Sequence, residues 1–486
     1  MKRGCSSPTA YPTVERFPAV SYTGQVQVLL ISTYDLGRQP FGLASPSAWL
    51  RRAGFEVTCV DISRAPLHDA DIASAALAAV YLPMHTATRL AAPVFDRIRR
   101  VNPSAHLCCY GLYARLNEGW LKERGVLSVL GGEFEEALVS VARAVAAKAN
   151  NPDDPHERHD IPRLRFVQPD RSDLPPLHRY ASLQMPDGSH RVAGATEASR
   201  GCKHLCRHCP IVPVYAGQFR VVPIDVVLDD VKSQVANGAE HISFGDPDFF
   251  NGPTHAMGLV ERFAAECPRV SYDVTIKIEH LLQHADLLPR LRDSGCLFVT
   301  SAVESVDDDV LSKLAKGHTR ADFVRAVQLC RDVGLTLSPT FVPFTPWTTA
   351  EGYLDLLDTI EALDLVDHVA PIQLAIRLLV TSGSELLQLP EIRAQVAPFD
   401  PASLTWPWTH DDPRIDALQR EVITIVGARS HTSRPTVFDA IAAAARETAG
   451  RPARTPIPSR PHVAAPVPVL SEAWYCCAEP DAEMGI

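Results

Sequence analysis

Apolar runs alternate with amphipathic stretches along this chain in two successive series. The first begins at Gln25. Val26-Gln27-Val28-Leu29-Leu30-Ile31 is a short apolar run, which predicts a buried strand. A loop from Gly37 to Gly42 follows, then a helical stretch over 46–53. Further strands are predicted at 55–61, 77–82, 106–110 and 126–130, with a helix over 95–101. Gly131-Gly132-Glu133 then opens a helix through Ala147. Such alternation predicts an α/β fold with a parallel, doubly wound (Rossmann-like) sheet over residues 25–150.

The second series starts with a strand over 191–196. A helix follows over 224–237, with Val226, Val227, Val231 and Val235 at helical spacing and Gly238 as a stop. Strands are predicted at 241–248, 271–278, 297–305, 335–342 and 369–379, and helices at 281–294, 319–333 and 353–363. About six strand–helix units make a partial (β/α)6 barrel of the TIM type over 191–395. Residues 1–24 read as a lead-in and 151–190 as a linker and second lead-in. A helical extension spans 396–450, with helices at 415–427 and 436–448. Residues 451–486 read as a flexible Pro-rich linker ending in a Cys-Cys tail.

Composition narrows the functional classes. The 486 residues carry a net charge of −10 and no long basic run, so nucleic acid is not an expected partner. No apolar run is long enough for a membrane span, and Met1-Lys2-Arg3-Gly4-Cys5 is not followed by a signal-peptide core. Twelve cysteines in so long a chain do not resemble a secreted disulfide framework; a reducing cytoplasm is expected.

Ser199-Arg200-Gly201-Cys202-Lys203-His204-Leu205-Cys206-Arg207-His208-Cys209-Pro210 concentrates the chemistry. Its C-x3-C-x2-C spacing lets three thiolates converge from one loop. Three thiolates suit an iron–sulfur cluster with one iron left open; structural zinc is the alternative and wants a fourth ligand. His204 and His208 are too close in the loop to complete a tetrahedron easily.

This loop resembles that of the radical S-adenosylmethionine (SAM) superfamily. The resemblance implies a 4Fe–4S cluster on Cys202, Cys206 and Cys209, SAM on the open iron, reductive cleavage of a carbon–sulfur bond, and an electron donor such as flavodoxin or ferredoxin. It places Asp246, in Gly245-Asp246-Pro247-Asp248, where the family contacts the SAM amino group. It places Ser301 and Glu304 where relatives contact the sugar and amino acid. Lys277 ends the third barrel strand, and Arg377, in the last, could hold a carboxylate with both arms of its guanidinium. His208 reads as solvated. Cys267, Cys296 and Cys330 read as buried small hydrophobes.

The first domain is similar to the cobalamin-binding domain preceding many radical SAM barrels. It lacks the D-x-H-x-x-G motif whose His would ligate cobalt, and Cys108, Cys109 and Tyr110 stand where many relatives have small residues for the cofactor tail. Cobalamin is thus a doubtful cofactor, and a scaffold or lid role is the alternative. Cys476-Cys477-Ala478-Glu479-Pro480 resembles the ending of CUAEP/CCAEP-tail radical SAM proteins. That points to Cys476 and Cys477 as a catalytic thiol pair presenting a soft element. The specific expectation is transfer of the SAM aminocarboxypropyl arm to arsenic or a similar element, in a small substrate. The alternatives are a cobalamin-dependent methyltransferase or peptide-modifying enzyme, and a non-catalytic iron–sulfur redox or metal sensor.

Overall fold

The computed structural model describes residues 26–147, 164–429, 432–452 and 467–472. Strands β1 (Gln27–Ser32), β2 (Glu56–Asp61), β3 (Leu77–Tyr81), β4 (His106–Tyr110) and β5 (Ser128–Leu130) form one sheet, in the order β2-β1-β3-β4-β5. All four pairings are parallel. Side chains alternate across a strand, so both faces must be apolar when helices cover both. Leu29 and Ile31 pack into the core on one face, Val28 and Leu30 into that on the other. Cys108 and Cys109 follow the same rule: each is fully buried in a different core, and burial pushes both thiols up. This strand order places the topological switch between β1 and β3, where doubly wound sheets open a crevice at their carboxyl ends.

The second sheet has the order β13-β12-β11-β10-β7-β6-β14. β6 (Ser182–Gln184) and β7 (His190–Thr196) form an antiparallel hairpin. β10 (His241–Phe244), β11 (Ser271–Thr275), β12 (Cys296–Glu304) and β13 (Thr336–Phe341) then run parallel to β7. The largest core lies between these strands and their covering helices. The curled sheet is the expected partial barrel, with five parallel strands. The sixth expected strand, over 369–379, does not form. Pro371 opens a 3-10 turn through Leu374, and only one isolated bridge, Phe344 to Arg377, continues the sheet. Proline has no N–H for a ladder, so it starts a turn where the apolar run alone suggested a strand. The two C-terminal helices are present, as Pro413–Ala428 and Arg434–Thr448.

The second lead-in and part of the expected flexible C-terminal stretch are docked where they are described. Arg171, in the lead-in, grips Asp230 with Nε and Nη2 at 2.8 and 2.9 Å, and donates to Gln39 of the first domain and to the Ala195 carbonyl. It therefore fastens the two domains together. At the far end of the chain Val467 is buried. β14 (Val469–Leu470) then adds to the free edge of β6. A sheet edge is a row of unpaired donors and acceptors, so even two residues with apolar flanks find partners there. Among the described residues, no helix is long and apolar enough to cross a membrane.

Candidate active site

The cysteine loop is bracketed by β8 (Ser199–Gly201) and β9 (Phe219–Val221), which pair antiparallel. Gly201 holds φ at +74°, and a Cβ there would lie 2.5 Å from the Gln218 carbonyl oxygen. Only glycine fits directly before Cys202. Asn251, after β10, accepts from the backbone N–H of Lys203 at 3.2 Å and lies 3.8 Å from Sγ of Cys202. The Arg207 N–H donates to the Leu314 carbonyl, and its guanidinium to that of Lys313. The loop is thus tied down from segments following β10 and β12, over the carboxyl ends of the barrel strands, where barrel active sites form.

Cys202, Cys206 and Cys209 are all unbridged thiols. Burial pushes Cys202 up to about 12, and the neighbouring Asp248, Cys209 and Cys206 add to the rise. Burial also raises Cys206, while Lys316 and Lys277 pull it down. Neighbouring thiols that are held neutral by burial and by each other's charge are what a cationic centre would ionise; a bound metal deprotonates its thiols outright.

Buried polar groups also lie along β12 and β13 and in the turn after the helix Asp308–Lys313. Ser301 Oγ, Thr340 Oγ1 and both ring nitrogens of His318 are buried and make no well-aligned hydrogen bond. Burial, then Lys316 and Lys277, push His318 down to about 4, so its ring is neutral. Buried polar atoms without partners are costly and call for a polar ligand. Glu304 sits at the end of β12 with φ +70°, a strained conformation for a non-glycine residue. Its Oε1 lies 3.2 Å from His208 Nε2 and 3.3 Å from Lys316 Nζ. Burial would raise this carboxyl, but Lys316, then His208, hold it at about 2. His208 is 4% exposed and bound to Glu304. The expectation of a solvated His208 is therefore corrected: it pins the loop to β12.

The other expected site residues are placed as follows. Lys277, after β11, lies with Nζ 3.1 Å from His204 Nδ1 and 3.3 Å from Glu279 Oε2, beside the loop. Asp246 is buried, but both oxygens are engaged: Ser199 Oγ donates to Oδ1 at 2.5 Å and the Ala198 N–H to Oδ2 at 2.9 Å. Burial raises this carboxyl to about 7. It braces the start of the cysteine loop. Arg377 is not open to a ligand carboxylate. It donates to Asp416 at 2.7 Å and to the Trp408 carbonyl at 2.8 Å, and stacks 3.5 Å from the Trp408 ring. That expectation is corrected, because the C-terminal extension uses both of its arms. Cys476 and Cys477 lie outside the described residues. Sequence reasoning missed Asn251, Lys316, His318 and Thr340; Lys316-Gly317-His318, a polar triplet between the helices Asp308–Lys313 and Arg320–Val333, was the readable signal.

Between the domains, Arg200 is buried with Glu133 and Glu135 from the segment after β5. It donates to Glu135 at 2.6 and 2.9 Å, and to Glu197 at 2.7 Å. Phe41, Phe134 and Phe166 surround its guanidinium at 5.3–5.6 Å. The remaining cavity there, lined by Asp35, Tyr81, Phe134, Glu197, Arg200 and Tyr215, is about 250 Å³.

An open parallel barrel with three thiols at its mouth follows a doubly wound domain, and residues 196–391 match the radical SAM superfamily. The similar proteins are enzymes. The tRNA-2-methylthio-N(6)-dimethylallyladenosine synthase of Fusobacterium nucleatum is 27% identical over 209 residues, 39% of this chain and 44% of that protein. The bacteriochlorophyllide d C-12(1)-methyltransferase of Chlorobaculum tepidum is 29% identical over 133 residues, 27% of this chain and 28% of that protein. The chain spans less than half the length of these curated relatives. In fold it is similar to the cobalamin-dependent S-adenosylmethionine radical enzyme OxsB with aqua-cobalamin bound. The TM-score is 0.64 at 14% identity, covering 82% of this chain and 66% of that one. The radical S-adenosylmethionine methyltransferase TsrM of Kitasatospora setae, with cobalamin and a [4Fe-4S] cluster, gives a TM-score of 0.58 at 17% identity over 88% of this chain and 100% of that one.

A radical SAM domain implies a 4Fe–4S cluster and SAM, and three free thiols on one loop fit three irons; Ser301, Thr340 and His318 are buried polar groups of the same barrel with unpartnered side-chain atoms. Cobalamin fits poorly. A drug-sized ligand takes a pocket of about 300–1,000 Å³ and a corrin more, whereas the inter-domain cavity has about 250 Å³. Tyr81 packs on Gly42, where a Cβ would lie 2.1 Å from its ring, and Tyr110 donates to the Gly42 carbonyl. Aromatic side chains occupy the crevice at the switch point.

Proposed function

We propose that this protein is a radical SAM enzyme that cleaves SAM reductively at a cluster on Cys202, Cys206 and Cys209 and transfers a SAM-derived group to a small substrate. The observation that carries the reading is three free thiols on one short loop, which His208 ties to the buried Glu304 at the end of β12. When bound, a 4Fe–4S cluster supplies one electron to the sulfonium. The chain's own residues hold and orient. Asn251 and His208 fix the loop, and Lys316 keeps Glu304 ionised. Ser301 and Thr340 offer hydroxyls to SAM, and neutral His318 offers a donor and an acceptor. A flavodoxin or ferredoxin would be the electron donor.

The substrate reading is aminocarboxypropyl transfer to trivalent arsenic or another soft element, presented by Cys476 and Cys477; soft thiolates select soft partners. The docked end of the chain supports it. Glu472 pairs with Arg64 at 2.7 Å and accepts from Tyr34 at 3.1 Å, in a cleft of about 580 Å³ beyond β1 and β2. Cys476 follows four residues later, within roughly 14 Å at full extension. Asp35, Leu36, Arg38 and Gln39, close after Tyr34, line the cavity that also touches Gly201 and Ile211, on either side of the three cysteines. A second reading, methyl transfer, is favoured by the likeness to TsrM and OxsB.

Chromatography of the SAM-derived products tests both. Loss of the aminocarboxypropyl arm leaves 5′-methylthioadenosine, whereas methyl transfer leaves S-adenosylhomocysteine. Cys202→Ala, Cys206→Ala and Cys209→Ala each lose cluster iron and all cleavage. The double Cys476→Ala, Cys477→Ala variant keeps its iron and cleaves SAM without forming product. Wild-type turnover in that variant refutes the role of the tail.

A further inference from the structure

His204, in the cysteine loop, meets Asp248, which follows β10, and His280, in the helix Ile278–Gln283 after β11. One ligand atom from each lies within 4.8 Å of the other two. Nε2 of His204 is 3.2 Å from Oδ2 of Asp248, and Nδ1 of His280 is 2.6 Å from the same oxygen. The side chains of Asp248 and His280 are 1% exposed and that of His204 is 12% exposed. The rings lie 4.6 Å apart at 56°, so both present an edge to one point.

These contacts are close but badly aimed. Nε2 of His204, Oδ2 of Asp248 and Nδ1 of His280 are buried, and none makes a well-aligned hydrogen bond. Three such atoms in one place are expensive unless something between them accepts all three lone pairs. Asp248 keeps its other oxygen on the backbone: Oδ1 accepts from the Phe250 N–H at 3.1 Å, capping the 3-10 turn Phe249–Asn251 and aiming Oδ2 at the two rings. A ring nitrogen that binds a metal leaves the opposite one protonated, usually facing a carboxylate. On the far side of His204, Nδ1 lies 3.7 Å from Glu279 Oε2. In this structure Lys277 Nζ donates to that Nδ1 at 3.1 Å and to Glu279 Oε2 at 3.3 Å, so protonation of Nδ1 would leave Lys277 to Glu279 alone.

We propose that His204, Asp248 and His280 form a mononuclear site for a divalent first-row transition ion, separate from the three-cysteine cluster. Two imidazoles and one carboxylate are the donor set of open facial sites, which leave coordination positions for an oxygen ligand. The ion would be held by the cluster loop itself, because His204 lies between Cys202 and Cys206 in the chain. Asp248 is also near Cys202, whose thiol it helps to raise.

The test uses the full chain with its cluster assembled. The Cys476→Ala, Cys477→Ala background removes the tail thiols, which would also bind zinc. The probe is Zn²⁺ alone, counted by elemental analysis after equilibrium dialysis. One zinc per chain is expected beyond the cluster iron, with affinity reduced at least tenfold in both His280→Ala and Asp248→Asn. Iron and sulfide content, unchanged in each variant, reports an intact fold and cluster. No zinc beyond the iron in the parent, or undiminished zinc affinity in His280→Ala, overturns the proposal and leaves a hydrogen-bonded His–Asp–His relay.

Discussion

Replacing Arg200 with methionine tests whether the two domains are joined by a buried charge network. The guanidinium is 6% exposed, and the carboxylates of Glu133 and Glu135 beside it are fully buried. Methionine keeps much of the volume among Phe41, Phe134 and Phe166 but removes the charge. Breaking a buried pair from one side costs about 3–5 kcal/mol, because the remaining charge is stranded. The loss should depend on pH. In the native protein Arg200 more than offsets the burial of Glu135 and holds its carboxyl below the usual range. Without Arg200, burial, the largest influence, is opposed only by the hydrogen bonds from Ser45 and the backbone, and the folded pKa of Glu135 should rise above its unfolded value. A raised carboxyl pKa favours the folded state below the unfolded pKa, and that stability is lost as pH climbs through the folded one. Each pH unit in that window is worth up to about 1.4 kcal/mol per proton. Arg200→Met should therefore be most damaging at pH 8 and milder, by about 2–3 kcal/mol, at pH 5.5. Adding Glu135→Gln to Arg200→Met should recover more than half of the loss at pH 8. Urea unfolding followed by tryptophan fluorescence reads all three. A loss below about 1 kcal/mol at pH 8, or one of equal size at both pH values, refutes the reasoning.

Glu133 has its carboxyl raised to about 7, chiefly by burial, so native stability falls as pH rises from about 4.5 through 7; Glu133→Gln should flatten that fall by up to about 3 kcal/mol in the same assay. Gly201→Ala combines a positive φ with a 2.5 Å clash against the Gln218 carbonyl, and should assemble less than a tenth of the native cluster iron, by iron and sulfide analysis. Glu472→Ala removes a half-exposed ion pair and should change the unfolding free energy by less than about 1 kcal/mol. The same variant should release the C-terminal segment to limited proteolysis several-fold faster; an unchanged rate means that the pair does not hold the tail.

Legibility followed the range of the interactions. The two strand–helix series could be read because burial on both faces of a parallel sheet leaves local apolar runs, as in Val28 to Ile31. The cysteine loop could be read because its three thiols sit within eight residues. Arg377 misled because its partners, Asp416 and Trp408, come from a segment 31–39 residues away. The strand expected at 369–379 failed on one residue, Pro371, which an apolar count does not weigh. Asp248 and His280 lie 44 and 76 residues from His204, and only the curl of β10 and β11 brings them together.

β14 and Glu472 together touch both halves of the molecule. Val469 and Leu470 pair with Leu183 and Gln184 at the barrel's edge, while Glu472 reaches Arg64 and Tyr34 of the first domain. Neither foothold is strong alone: two strand residues and one half-exposed ion pair. Their binding energies combine only when the two domains stand at the right separation, as two weak ligands on a short linker gain from each other's presence. Residues 469–472 therefore bridge the barrel edge and the first domain, and the two contacts reinforce each other only while the domains stand as they do here.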